Sequence, residues 1–250
     1  RPESRGNPMP RGFWDYGVNP AGQITAPQIS ASELAARLGS LQRYDRLGDL
    51  LFADGFEKGL GRWATASVPS GGSIALSVVG AGLGGYTCKL TPPATVAGYA
   101  NIYTWAPVIS QTKLGMEIYF VQTSLNTNLQ IQFSQRTASG ILVFGVSYRG
   151  QVNRLQYLAS DDSWQTVPGI DAVSIGDSIP HVLKLVVDAA SGQYVRVNLD
   201  DQRASLAGLR PPTDPGPGTP YLEIEIIALS WGGVASDVYI DNVIITHNEP

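Results

Sequence analysis

Two glutamates two residues apart, Glu223 and Glu225 in Tyr221–Ile227 (YLEIEII), have the spacing in this sequence best suited to acid–base work. Residues two apart on a strand project to the same side, so the pair could supply an acid and a nucleophile to a glycosidic bond. The same segment has a plainer reading, which we favour. Leu222, Ile224 and Ile226 enter a core, and the acids stand on its wet side. The only histidines are His181 and His247, with neither an HExxH pattern nor paired metal-ligand spacing around them. A GxSxG nucleophile elbow is also missing, so no catalytic residue is assigned and the chain is read as non-enzymatic.

Aromatic residues offer different chemistry, because flat rings stack on the faces of sugars. Tyr99, Tyr103 and Trp105 lie close together, Trp164 follows Tyr157, and Trp231 precedes Gly232-Gly233. These five rings are the candidate glycan platform. Packing at a core or a sheet edge is the ordinary alternative for each.

The elements that must carry these residues are strands. From Leu50 onward the apolar period is two: Leu114, Met116, Ile118 and Phe120 alternate with Glu117 and Tyr119. Likewise Leu129, Ile131 and Phe133 alternate with Gln130, Gln132 and Ser134. Further strands are expected over Ile141–Tyr148, Arg154–Leu158, Val182–Asp188, Tyr194–Leu199, Tyr221–Leu229 and Val238–Thr246. Val182–Val187 alternates less and should lie centrally. Arg149-Gly150, Ser191-Gly192 and a long loop over Arg210–Pro220 separate them. No βαβ pattern, GxGxxG or P-loop interrupts the series. The expected fold is all-β: an antiparallel two-sheet jelly-roll sandwich over residues 47–250.

Residues 1–46 read differently, as an extended N-terminal arm. Pro2, Pro8, Pro10, Pro20 and Pro27 break regular structure, and only Ser30–Leu38 has helix signals, with a Ser30/Glu33 capping box and Gly39 as the stop. Phe13, Trp14 and Tyr16 have no local apolar partners and are candidate docking residues. The arm carries six Arg against Glu3, Asp15, Glu33 and Asp45, so it is basic while the remainder is acidic. Such an arm could strap onto a neighbouring copy or wrap its own domain.

The overall charge of −4 argues against nucleic acid as a partner, because phosphate binding needs clustered Lys and Arg. No apolar run approaches the roughly 18 residues of a membrane span. Cys88 stands alone, which excludes an internal disulfide and a cysteine-bound metal.

Leu51–Trp63 (LFADGFEKGLGRW) and Tyr239–Thr246 (YIDNVIIT) together resemble the opening and closing strands of concanavalin A-like and carbohydrate-binding-module sandwiches. HVLKLVVDAASGQYVRVNLDDQ, from His181, resembles the strand–turn–strand of laminin G-like domains. By that resemblance Glu57 and Asp241 are candidate ligands of a structural Ca²⁺, the hard cation that oxygen ligands suit. A second likeness covers Tyr44, Asp45, Arg46, Gly48, Asp49, Asp54, Phe56, Glu57, Gly59, Leu60 and Trp63. This lead-in is similar to uncharacterised proteins of thermophilic bacteria and their phages.

Taken with the arm, that likeness implies a structural or decorating component of a virion or similar extracellular surface assembly. Its partners would be other virion or surface proteins, with a homo-oligomer expected. The alternative is a lectin-like module that binds a cell-surface glycan; a glycosidase or polysaccharide lyase ranks behind both.

Overall fold

The computed structural model describes residues 47–250 apart from 70, 83, 107–112, 137–139, 172–177, 217–219, 232 and 235. The arm over 1–46, its helix over 30–38 and the docking residues Phe13, Trp14 and Tyr16 lie outside the described residues. In chain order the first eight strands are β1 (Asp49–Asp54), β2 (Ala64–Val68), β3 (Ser73–Ser77), β4 (Thr87–Thr91), β5 (Tyr99–Ala106), β6 (Lys113–Gln122), β7 (Thr127–Arg136) and β8 (Gly140–Arg149). After them come β9 (Arg154–Leu158), β10 (Trp164–Thr166), β11 (Pro180–Asp188), β12 (Gln193–Leu199), β13 (Gln202–Ser205), β14 (Thr213–Pro215), β15 (Tyr221–Ser230) and β16 (Val238–His247).

Period-two burial sorts these strands into two antiparallel sheets packed face to face. The first runs β13-β12-β11-β6-β16-β4-β3, with β1 also paired to β16. The second runs β10-β9-β8-β7-β15-β5-β2, with β14 paired to β8. Leu129, Ile131, Phe133, Ile224 and Ile226 of the second sheet meet Met116, Ile118, Leu183, Leu185 and Ile245 of the first in one core. As its weak alternation implied, β11 lies inside its sheet and is buried on both faces. The Arg210–Pro220 segment corrects the sequence reading: it is not all loop, because β14 within it pairs with Gly140–Leu142.

One side chain ties the sheets together beneath the region of interest. The ladder between β8 and β9 runs from Arg149↔Arg154 to Val146↔Tyr157. One residue further on, the Tyr194 hydroxyl of β12 reaches across the core from the first sheet. It accepts a hydrogen bond from Gly145 N (2.9 Å) and donates to Leu158 O (2.8 Å). Burial pushes the Tyr194 phenol far above its ordinary pKa, so it remains a neutral donor.

The outer face of the first sheet holds a closed set of buried charges. Lys184 is only 1 % exposed. Its Nζ lies 2.8 Å from Glu249 and 3.7 Å from Glu117, its ladder partner. Arg196 also pairs with Glu249, and Thr246 Oγ1 donates to the same carboxylate at 2.5 Å. Desolvating charges is expensive, so such a set holds only while each partner stays in place.

Two consequences can be measured by urea unfolding. Glu249→Ala removes the carboxylate that Lys184 and Arg196 share and should cost roughly 3–5 kcal/mol; a loss below about 1 kcal/mol would show that the network is solvated. Tyr194→Phe removes the hydroxyl between Gly145 and Leu158 and should cost about 1–3 kcal/mol, the penalty for stranding buried backbone groups. An unchanged midpoint would mean that β8 and β9 re-pair without it.

Candidate functional site

The outer face of the second sheet gathers the residues with chemical interest, and the strand period explains how. In β15, Leu222, Ile224, Ile226 and Ala228 are buried in the core, so Glu223 and Glu225 project outward. In β5, Ala100 and Ile102 point inward, which turns Tyr99, Asn101, Tyr103 and Trp105 out. In β7 the outward positions are Asn128, Gln130, Gln132 and Ser134.

Register then sets them side by side. Glu225 is flanked by Gln132 and Tyr103, and Glu223 by Ser134 and Trp105. Beyond Gln132 comes Gly145 of β8, followed by Trp164 at the far edge on β10. Gly145 matters because it has no side chain. A Cβ there would lie 3.3 Å from both Trp164 Cη2 and Gln132 Cγ, so the gap lets the indole close over the strand. Tyr103 and Trp105 pack edge to face at 5.2 Å between ring centroids, yet Trp105 remains 57 % exposed. Five strand spacings separate β5 from β10, about 24 Å, with aromatic rings at either border and amides and carboxylates between.

The two ends of the face are also marked by rings. At one end Arg149 lies over Trp231, 4.9 Å from the ring centroid, in the ladder row that contains Tyr99. At the other, Arg136 lies 5.4 Å from the Tyr221 ring. Every member of the sequence-derived platform (Tyr99, Tyr103, Trp105, Trp164 and Trp231) thus borders this one face.

Between the rings the polar groups are incompletely satisfied. Asn101 Nδ2 donates to Glu225 Oε1, while Asn101 Oδ1 has no partner among the described residues. Ser147 Oγ and Gln156 Oε1, one row from Gly145, are in the same condition, although the two residues are 1 % and 9 % exposed. Burial raises the Glu225 carboxyl above its ordinary pKa; the Asn101 hydrogen bond opposes that rise, and the charge of Glu223 adds to it. The amides and hydroxyls were visible in sequence only as polar alternates of apolar strand positions. Gly145 gave no signal at all.

Glu57 and Asp241 come together elsewhere, around the loop joining β3 to β4. Glu57 Oε1 accepts from Gly85 N (2.6 Å) and Tyr86 N (3.1 Å). Asp241 Oδ2 accepts from Gly82 N (3.0 Å), and its Oδ1 from Asn242 N (2.7 Å). Asp54 belongs to the same opening motif and accepts from Phe56 N and Trp63 Nε1. These carboxylates are met by amide donors, a set that fits capping of the backbone. Among the described residues, no three His, Cys, Asp or Glu cluster to hold a metal ion.

No protein-family model matches the sequence, and no curated protein matches it either. Solved structures do match in fold. A cellulose-induced protein superposes with a TM-score of 0.54 at 17% identity, covering 78% of this chain and 97% of its own. An endo-β-1,4-glucuronan lyase from Trichoderma reesei gives 0.54 at 12% identity, over 79% and 95% of the two chains. A carbohydrate esterase from a Shiga toxin-encoding bacteriophage gives 0.54 at 14% identity, over 81% and 100%. At such identities the likeness is one of architecture: the chain is an antiparallel jelly-roll β-sandwich similar in fold to these three proteins.

Proposed function

We propose that the chain is a glycan-binding module, and that a polysaccharide lies across the outer face of the second sheet, perpendicular to its strands. The observation that carries this reading is the row from Trp164 through Gly145, Gln132 and Glu225 to Tyr103, with Trp105 beside it. Rings at the two borders offer stacking surfaces for sugar faces, and the amides and carboxylates between them offer hydrogen-bond partners for hydroxyls. An exposed indole such as Trp105 contributes little to the core, so a binding role accounts for it better than packing does. The similar folds named above include carbohydrate-active proteins, which supports the choice of ligand class. The virion-decoration reading draws its support from the arm over 1–46 and from the sequence likeness over Tyr44–Trp63, and the geometry of the described residues adds nothing to it.

Affinity electrophoresis and calorimetry against neutral, uronate and amino-sugar polymers test the proposal. Trp105→Ala and Trp164→Ala should each weaken binding about tenfold, equivalent to about 1.4 kcal/mol. Trp105→Ala should leave the melting temperature where it was. Absence of binding to all three polymer classes, or full binding by the Trp105→Ala/Trp164→Ala double variant, would sink the proposal.

A further inference from the structure

The charge at the centre of the proposed binding face is one-sided. Glu223 and Glu225 occupy adjacent outward positions of β15, and among the described residues neither carboxylate has an ion-pair partner. Arg136, diagonal to Glu223 in the ladder, is turned onto the Tyr221 ring instead. Arg149 and Arg154 lie at the opposite end, two ladder rows from Glu225 along the strands, or about 13 Å. The acids are not an isolated cluster. Buried, unpartnered polar atoms share their face: Asn101 Oδ1, on the residue that binds Glu225, and Ser147 Oγ across Gln130 from it.

A ligand for this face must therefore bring hydrogen-bond donors and must not bring negative charge next to Glu223 and Glu225. A uronate polymer would set carboxylates against carboxylates in a partly desolvated strip, where repulsion is poorly screened. A neutral glycan avoids that cost. A polymer with protonated amines goes further, because each ammonium group supplies donors and compensates an unpaired carboxylate. Resting on the glycan-binding reading, we propose that the physiological ligand class is an amino-sugar polymer of the glucosamine type, its ammonium groups held by Glu223 and Glu225 while its rings stack on Trp105 and Trp164.

The pH dependence follows from the same groups. Binding requires an ionised Glu223–Glu225 pair and a protonated amine. It should fall on the alkaline side as the amine loses its proton. On the acid side it should fall as Glu225, already held above the ordinary carboxylate range, takes up a proton before an exposed glutamate would. Tyr221 and Arg136 on the neighbouring positions, with Tyr103 across the ladder, complete the charged and titratable groups facing the pair.

Calorimetry with three oligosaccharides of equal length (glucosamine, N-acetylglucosamine and uronate) decides the matter. The full chain should bind the glucosamine oligomer at least tenfold tighter than the N-acetylated one, and the uronate oligomer most weakly. Glu223→Gln/Glu225→Gln should bring glucosamine binding down to the N-acetylated level, and Glu223→Gln alone should cover part of that change. The control Asp171→Asn/Asp201→Asn removes the same charge near β13 in the first sheet and should keep the preference. Equal or tighter uronate binding, a preference that survives the glutamine variants, or an equal loss in the control would overturn the amino-sugar assignment. In those cases Trp105-dependent binding of any oligomer keeps the glycan-binding reading, whereas failure of all three oligomers to bind overturns both.

Discussion

Burying one edge-to-edge row of β15 fixes where its carboxylates can go. Leu222, Ile224 and Ile226 are fully within the core, each worth about 1.5–3 kcal/mol of transfer free energy. A one-residue slip against β7 or β5 would exchange those side chains for Glu223, Glu225 and Ile227. Two unpaired carboxylates in an apolar interior cost several kcal/mol each, so the register has no near competitor. Because β15 lies between β7 and β5, the same register aligns Gln132 and Ser134 on one side with Tyr103 and Trp105 on the other. The chemistry of the face is thus a by-product of core burial in a central strand.

The two sheets treat outward-facing charge in opposite ways. On the first, Lys184, Arg196, Glu117 and Glu249 are matched in sign and drawn into contact, with Thr246 adding a hydrogen bond. On the second, Glu223 and Glu225 share a sign, and Asn101, Ser147 and Gln156 keep buried atoms without partners. Tyr194 links the two arrangements: its hydroxyl, rooted in the first sheet, holds Gly145 and Leu158 where the Trp164 side of the open face is built. Paired charge is concentrated in one layer, and the unpaired carboxylates Glu223 and Glu225 lie in the other.

Much of this architecture could be read from residues alone, for a physical reason. Strands with apolar residues on one face only, such as β7 and β15, announce their period. Arg154–Leu158 was located to the residue. By contrast β5 was hidden because its outward side chains are Tyr99, Tyr103 and Trp105, which hydropathy cannot tell from core. Short edge strands such as β10 and β14, three residues each, are too brief to show a period. The five platform rings were each identifiable, but their sharing of one face was not. Four strands separate β5 from β10 in the sheet, and only the pairing order brings Trp164 to one edge and Trp105 to the strand next to the other. Glu57 and Asp241 were likewise found as a pair by motif, while their use as amide acceptors for the loop from Gly82 to Tyr86 depends on backbone geometry.

The residue that hid β5 from pattern reading and the residue that argues for binding are therefore the same. A strand that only needed to cap a core would gain little from the exposed part of Trp105, because apolar area left in water contributes no burial energy. Nor would it gain from two like charges set in neighbouring outward positions, where burial raises the Glu225 carboxyl and the charge of Glu223 adds to that rise. Both features sit in adjacent rows of one face, where Glu223 pairs with Trp105 and Glu225 with Tyr103. Local rules are broken there and kept through the core and the charged network of the opposite sheet. Under the glycan-binding proposal, that departure marks where the ligand would lie.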